Sequence, residues 1–243
     1  MSDPAAAGSP PPAARGGPQR IPRPPGWRLG AGPEWARPDA RRPGRVDVAM
    51  IRSALARPLP PTQDDATLPV ELPSQSRRPA AVLCALYDDD GDAHVVLTRR
   101  SGRMRTHTGE VSFPGGRLEE GEEPLAAALR EADEEIGLDP SLVEIVGQLS
   151  PLSTLTSRAG ITPFVGVLPA RPALRANPSE VEAVLLVPVV ELWDPAVFHE
   201  ELWPRPDAAL HPVNFFDLVG DTVWGATGRM LRELLDRLWA AVG

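Results

Sequence analysis

Residues 130–135 read Arg-Glu-Ala-Asp-Glu-Glu, so four carboxylates crowd into six positions beside one guanidinium. The flanking residues predict a helix over 124–136: Pro124 suits a first helical turn and Gly137 an exit. At about 100° per residue Leu125, Leu129, Ala132 and Ile136 form one apolar stripe that should pack on a sheet. Glu131 and Glu135 then stack on one flank, with Glu134 beside them. Like charges at three- and four-residue spacing destabilise a helix. Arg130 can pair with Glu134 at that spacing, but the other carboxylates have no basic partner on the helix. Either this is an exposed acidic face, or a hard divalent cation such as magnesium or manganese relieves the repulsion.

The rest of the chain narrows the choice. Its 243 residues, 42% hydrophobic, suffice for one good-sized domain or two small ones. No run of about 18 apolar residues predicts a membrane span, and the N-terminus lacks the layout of a secretory signal. Cys84 is the sole cysteine, which fits a reducing compartment, so a cytoplasmic protein with no membrane partner is expected. The formal charge of −8 is uneven: residues 1–45 hold eight arginines against Asp3, Glu34 and Asp39, a net +5, leaving −13 elsewhere. An acidic body argues against nucleic-acid binding.

Eleven prolines in residues 1–45 predict a disordered tail. Residues 46–57 read as a short amphipathic helix, the stretch up to 77 as an irregular linker, and 78–243 as the folded domain. Strands at 80–87 and 93–100 should flank a hairpin turn at Asp88–Asp92. Further strands and a closing helix over 226–242, with Leu231, Leu234, Leu235, Leu238 and Val242 on one face, indicate an α/β or α+β domain.

Just before the acidic helix comes Phe113-Pro114-Gly115-Gly116, then Glu119, Glu120, Glu122 and Glu123. The two glycines allow close approach to a phosphate, and the combination suggests metal-assisted phosphate chemistry. Gly116, five residues, Glu122, seven residues, Arg130-Glu131, two residues, Glu134-Glu135, one residue and Gly137-Leu138 resemble the Nudix box, at fixed spacing over 23 residues. The resemblance covers roughly 78–240. It implies a Nudix fold, an α/β arrangement with a mixed β-sheet sandwiched between helices, and hydrolysis of a diphosphate linked to a nucleoside. It also implies magnesium or manganese held by Glu131, Glu134 and Glu135, with one of these or a later glutamate, Glu180 or Glu182, acting on the attacking water. Arg130 would orient the carboxylates, and Glu122 would hold an outer water or pair with Arg130. Glu119, Glu120, Glu123 and Asp133 read as solvated surface.

A second motif lies upstream. Val96-Leu97-Thr98, Arg99, Arg100-Ser101, Arg105, Gly109 and Phe113-Pro114-Gly115-Gly116 resemble the extra motif of coenzyme A diphosphatases within that family. The resemblance implies hydrolysis of coenzyme A or its thioesters to 3′,5′-ADP and 4′-phosphopantetheine derivatives, with Arg100, Ser101, Arg105, Gly115 and Gly116 on the substrate. Arg99 and Arg103 read instead as reaching solvent or neighbouring carboxylates. The alternatives are a Nudix hydrolase of ADP-ribose or a nucleoside triphosphate, a non-catalytic nucleotide-sensing domain, and an interaction protein working through its basic tail. A small nucleotide is the expected partner, and a homodimer is compatible with the sequence.

Overall fold

The computed structural model describes residues 14–57, 79–102, 109–153, 160–204 and 209–242. In chain order these form β1 (Arg28–Leu29), α1 (Val48–Leu55), β2 (Ala80–Asp89), β3 (Asp92–Arg100), β4 (Val111–Ser112), β5 (Gly115–Arg117) and α2 (Pro124–Ile136). There follow β6 (Glu144–Gln148), β7 (Leu152–Ser153), β8 (Gly160–Val167), β9 (Val181–Pro188), β10 (Phe198–Pro204), β11 (Leu210–Leu218), β12 (Asp221–Val223) and α3 (Gly225–Val242).

The larger sheet runs β4-β3-β2-β8-β6, with β5 also on β2, β7 on β8 and β9 on β3. It is mixed: β2 and β8 pair in parallel, whereas β2 and β3 pair antiparallel through a turn in which Asp90 and Gly91 both take positive φ. Such a turn matches the twist of a hairpin. Strand alternation divides the core. Ala81, Leu83, Ala85 and Tyr87 of β2 face Ala127, Ala128, Ala132 and Ile136 of α2, while Cys84 and Leu86 join a cluster with Ile51 of α1 and Leu231, Leu234, Leu235 and Leu238 of α3. The sheet is therefore sandwiched between helices, as the family resemblance implies.

The stripe packs on the sheet as expected, with two of its residues at the edge of the cluster. Three alanines let α2 lie close to the sheet, so Leu125 and Leu129 sit half-buried on its flank. Val242, in the last turn of α3, is 42% exposed. Among the described residues no helix is long and apolar enough to cross a membrane.

A second sheet, β1-β10-β11-β12, packs beside the first, and here the disordered-tail expectation for 1–45 is corrected from residue 14 onward. β1 pairs with β10, and Gly16 N–H donates to the Leu218 carbonyl at 2.7 Å. Trp35 is 1% exposed, tilted against Phe198 at 4.8 Å, and its Nε1 donates to Asp236 of α3 at 2.6 Å. Burying a tryptophan is worth roughly 4–6 kcal/mol gross, at about 25 cal/mol per Å² over 150–250 Å². That gain offsets ordering of a proline-rich chain whose conformational freedom is already reduced. Residues 1–13 and the linker at 58–77 lie outside the described residues.

Candidate active site

α2 begins with Pro124 and ends at Gly137, whose φ of 65° makes a left-handed cap. The cap lets the chain return past the helix end. Arg175 N–H donates to the Ile136 carbonyl and Asn177 N–H to the Glu135 carbonyl, each at 2.8 Å. Asn177 then organises the next turn: its carbonyl accepts from Glu180 N–H at 3.0 Å, and its side chain accepts from Ser179 Oγ at 2.7 Å. From the other side Ser101 N–H donates to the Glu180 carbonyl at 2.8 Å. These contacts carry Glu180 back over α2. Carboxylate oxygens of Glu131, Glu135 and Glu180 lie within 4.8 Å of one another.

The glycine segment shapes the floor of this cluster. A Cβ on Gly115 would collide with the Ala81 carbonyl and the Val82 backbone, so only glycine lets β5 lie this close to β2. Its N–H donates to Glu135 Oε2 at 3.2 Å. A Cβ on Gly116 would occupy the space of the Glu131 carboxylate. Gly115 thus gives β5 room against β2 and offers its N–H to Glu135, and Gly116 makes room for the Glu131 carboxylate.

The electrostatics are those of an undercompensated acidic site. Glu135 is 3% exposed, and burial pushes its carboxyl up to about 7, with Glu131 and Glu180 adding repulsion against the Gly115 N–H and Arg100. Arg100 Nη1 stands 3.6 Å from Glu135 Oε1. Burial also raises Glu131, partly offset by Arg130 at 3.2 Å. Three hard oxygen donors, two of them raised by burial and crowding, fit magnesium or manganese, which would restore the charged forms.

The expected site residues separate. Glu131 and Glu135 come together, and Glu180, not Glu182, joins them; Glu182 lies near Arg99 at 3.7 Å. Glu134 is not part of the three-carboxylate cluster; 55% exposed, it pairs at 2.9 Å with the same Arg130 Nη1 that stands 3.2 Å from Glu131. Arg130 also donates to Glu122 at 2.8 and 3.0 Å, which holds the Glu122 carboxyl below its ordinary range. Arg130 is thereby a clasp between the glycine segment and the helix. Arg99 binds Asp221, a neighbouring carboxylate, at 2.9 Å. Arg105 lies outside the described residues. Sequence reasoning passed over Asn177, whose signal was the turn-forming Asn-Pro-Ser run ahead of Glu180.

Comparisons with known proteins place the chain in a family. The NUDIX domain matches residues 77–210. Nudix hydrolase 22, chloroplastic, from Arabidopsis thaliana is 45% identical over 165 residues, covering 64% of this chain and 53% of its own length. The Nudix hydrolase NudL of Escherichia coli is 36% identical over 142 residues, covering 58% of this chain and 72% of its own. A solved MutT/nudix family protein from Enterococcus faecalis overlays 76% of this chain and 66% of its own, at 15% identity and a TM-score of 0.47. The chain spans about half the length of the Arabidopsis relative.

Proposed function

Because the chain belongs to the NUDIX domain family, we propose that it is a divalent-metal-dependent hydrolase that cleaves the diphosphate of coenzyme A or its thioesters. The products are 3′,5′-ADP and a 4′-phosphopantetheine derivative. One observation carries the hydrolase reading: Glu131, Glu135 and Glu180 gather from two separate segments into one acidic cluster over a glycine floor. The coenzyme A reading is supported by the 96–116 motif, whose Arg100 reaches Glu135.

A bound magnesium or manganese supplies positive charge for the diphosphate oxygens. Glu131, Glu135 and Glu180 are the residues that would hold it. The same cluster accepts a proton from the attacking water as its oxygen bonds to phosphorus and the bridging P–O bond breaks. The departing phosphate oxygen takes the electron pair. Arg130, itself held by Glu122, keeps Glu131 in place by direct contact, and Arg100 orients Glu135 from the substrate side. Arginine forks suit phosphate oxygens, so Arg100 and Arg105 are assigned to the nucleotide end.

The test is a turnover screen of coenzyme A, dephospho-coenzyme A, ADP-ribose and nucleoside triphosphates, with products identified by mass spectrometry. Coenzyme A should be preferred and should release 3′,5′-ADP. Preference for ADP-ribose would remove the coenzyme A assignment and leave the broader diphosphatase reading.

A further inference from the structure

We propose that Asp221 and Gln19, both outside the residues matched to the family, are positioning residues for the substrate-side motif; this rests on the substrate role proposed for that motif. Arg100 reaches Glu135 from the end of β3. There the β3 ladder is irregular, with the register against β9 shifting between Arg99 and Arg100. A bulged ladder alone holds a side chain less firmly than a regular one.

The reinforcement comes from the second sheet. Asp221 of β12 is 3% exposed, and its two oxygens accept from Arg99 Nη1 at 2.9 and 3.1 Å. Gln19 Nε2 donates to Asp221 Oδ1 and to the Gly109 carbonyl, each at 3.1 Å. Gly109 N–H in turn donates to the Arg100 carbonyl at 3.2 Å, and Arg100 N–H donates to the Glu110 carbonyl at 2.9 Å. One carboxylate and one amide therefore tie both sides of the stem that brackets Arg105 in sequence. Gln19 is itself fixed, because its Oε1 accepts from Thr222 N–H at 3.2 Å. The chain from the N-terminal segment to the acidic cluster is contiguous: Gln19, Asp221, Arg99, Arg100, Glu135.

The experiment uses Gln19→Glu, which keeps the shape but turns a donor into a carboxylate facing Asp221, together with Asp221→Asn. Arg15→Ala serves as the control, removing ion pairs of the same segment to Glu191 and Asp194 at 3.1 and 3.2 Å, away from the stem. Assays use the full chain, magnesium and whichever diphosphate the wild type hydrolyses fastest. Both stem variants should raise KM about tenfold, the scale of a lost bond to a charged group, with kcat within about threefold and an unchanged magnesium requirement. Arg15→Ala should lower thermal stability without moving KM. Wild-type KM in folded stem variants would overturn the inference, as would a change matching Arg15→Ala in kind. If one stem variant does not fold, the other decides. If neither folds, the pair serves the fold and not the stem, and the inference is lost. Failure of the wild type to act on coenzyme A would overturn only the substrate assignment.

Discussion

The molecule buries carboxylates in two places and treats them oppositely. On the second sheet each faces a donor, and His199 stands between Glu201 and Asp217. Glu201, 1% exposed, accepts from Arg23 Nε and Trp203 Nε1, each at 2.7 Å; Asp217 faces His199 at 3.2 Å; Asp221 binds Arg99. At α2, Glu131 and Glu135 of the helix and Glu180 from the turn before β9 crowd within 4.8 Å of one another, and the guanidiniums nearest Glu135 and Glu131 stand at 3.6 and 3.2 Å. Paired burial of charge is compatible with a purely structural role, whereas crowded burial costs stability and persists where chemistry needs it. The contrast separates the two acidic regions better than a count of carboxylates does.

The largest effect should come from removing what completes the crowded cluster. Chelator should abolish turnover, and magnesium or manganese should restore it; full activity in excess chelator would collapse the contrast. Within the cluster, Glu135→Gln should lower kcat by about 10²-fold or more. Glu134→Gln, one residue along but turned to Arg130, should cost less than about tenfold. Equal losses in steady-state assays would place both carboxylates at the reacting centre.

A smaller effect concerns stability without metal. Glu135 is raised from 4.5 to about 7, so between these values the folded state binds more protons than the unfolded one. Metal-free stability should therefore fall as pH rises through that window. By about 1.36 kcal/mol per unit, the full cost is on the order of 3 kcal/mol above pH 7. In chelator, Glu135→Gln should gain roughly that amount at pH 8 and nothing below about pH 4.5, where the wild-type carboxyl is protonated in both states. Urea titrations at the two pH values decide it, and a mutant no more stable at pH 8 would mean the cluster is not strained.

The smallest effect lies on the second sheet. The hydrogen bond from His199 holds Asp217 below its ordinary value of 3.8, opposed by burial and aided by Thr222. This contribution is present above the unfolded value and lost as pH falls through the folded one. His199→Gln should cost under about 1 kcal/mol near neutrality and flatten the acid limb of stability below about pH 4. A steeper acid limb in thermal melts would show that Asp217 is not held this way.

Much of α2 is legible in the amino-acid sequence. Its start, its left-handed exit and the shared flank of Glu131 and Glu135 follow from Pro124, Gly137 and a fixed period of 3.6, because a helix is a local object with local rules. The hairpin turn at Asp90-Gly91 is equally local. The choice of third carboxylate is not. The resemblance favours Glu180 over Glu182 without deciding between two glutamates two residues apart; Asn177 and Ser101, from opposite sides, carry Glu180 to the cluster.

What the sequence determined by itself was the helix, the glycine floor and a local excess of negative charge, since spacing and backbone freedom are written residue by residue. The Arg130–Glu134 pair follows from four-residue spacing, but only the tertiary structure decided that the adjacent Glu135 is buried at the centre, because neighbouring helical positions diverge by about 100° and what each meets depends on distant chain. The same holds for the N-terminal segment. Its composition argues for disorder, but a Trp35 pocket made by β10 and α3, more than 160 residues away, offers burial that no local window contains.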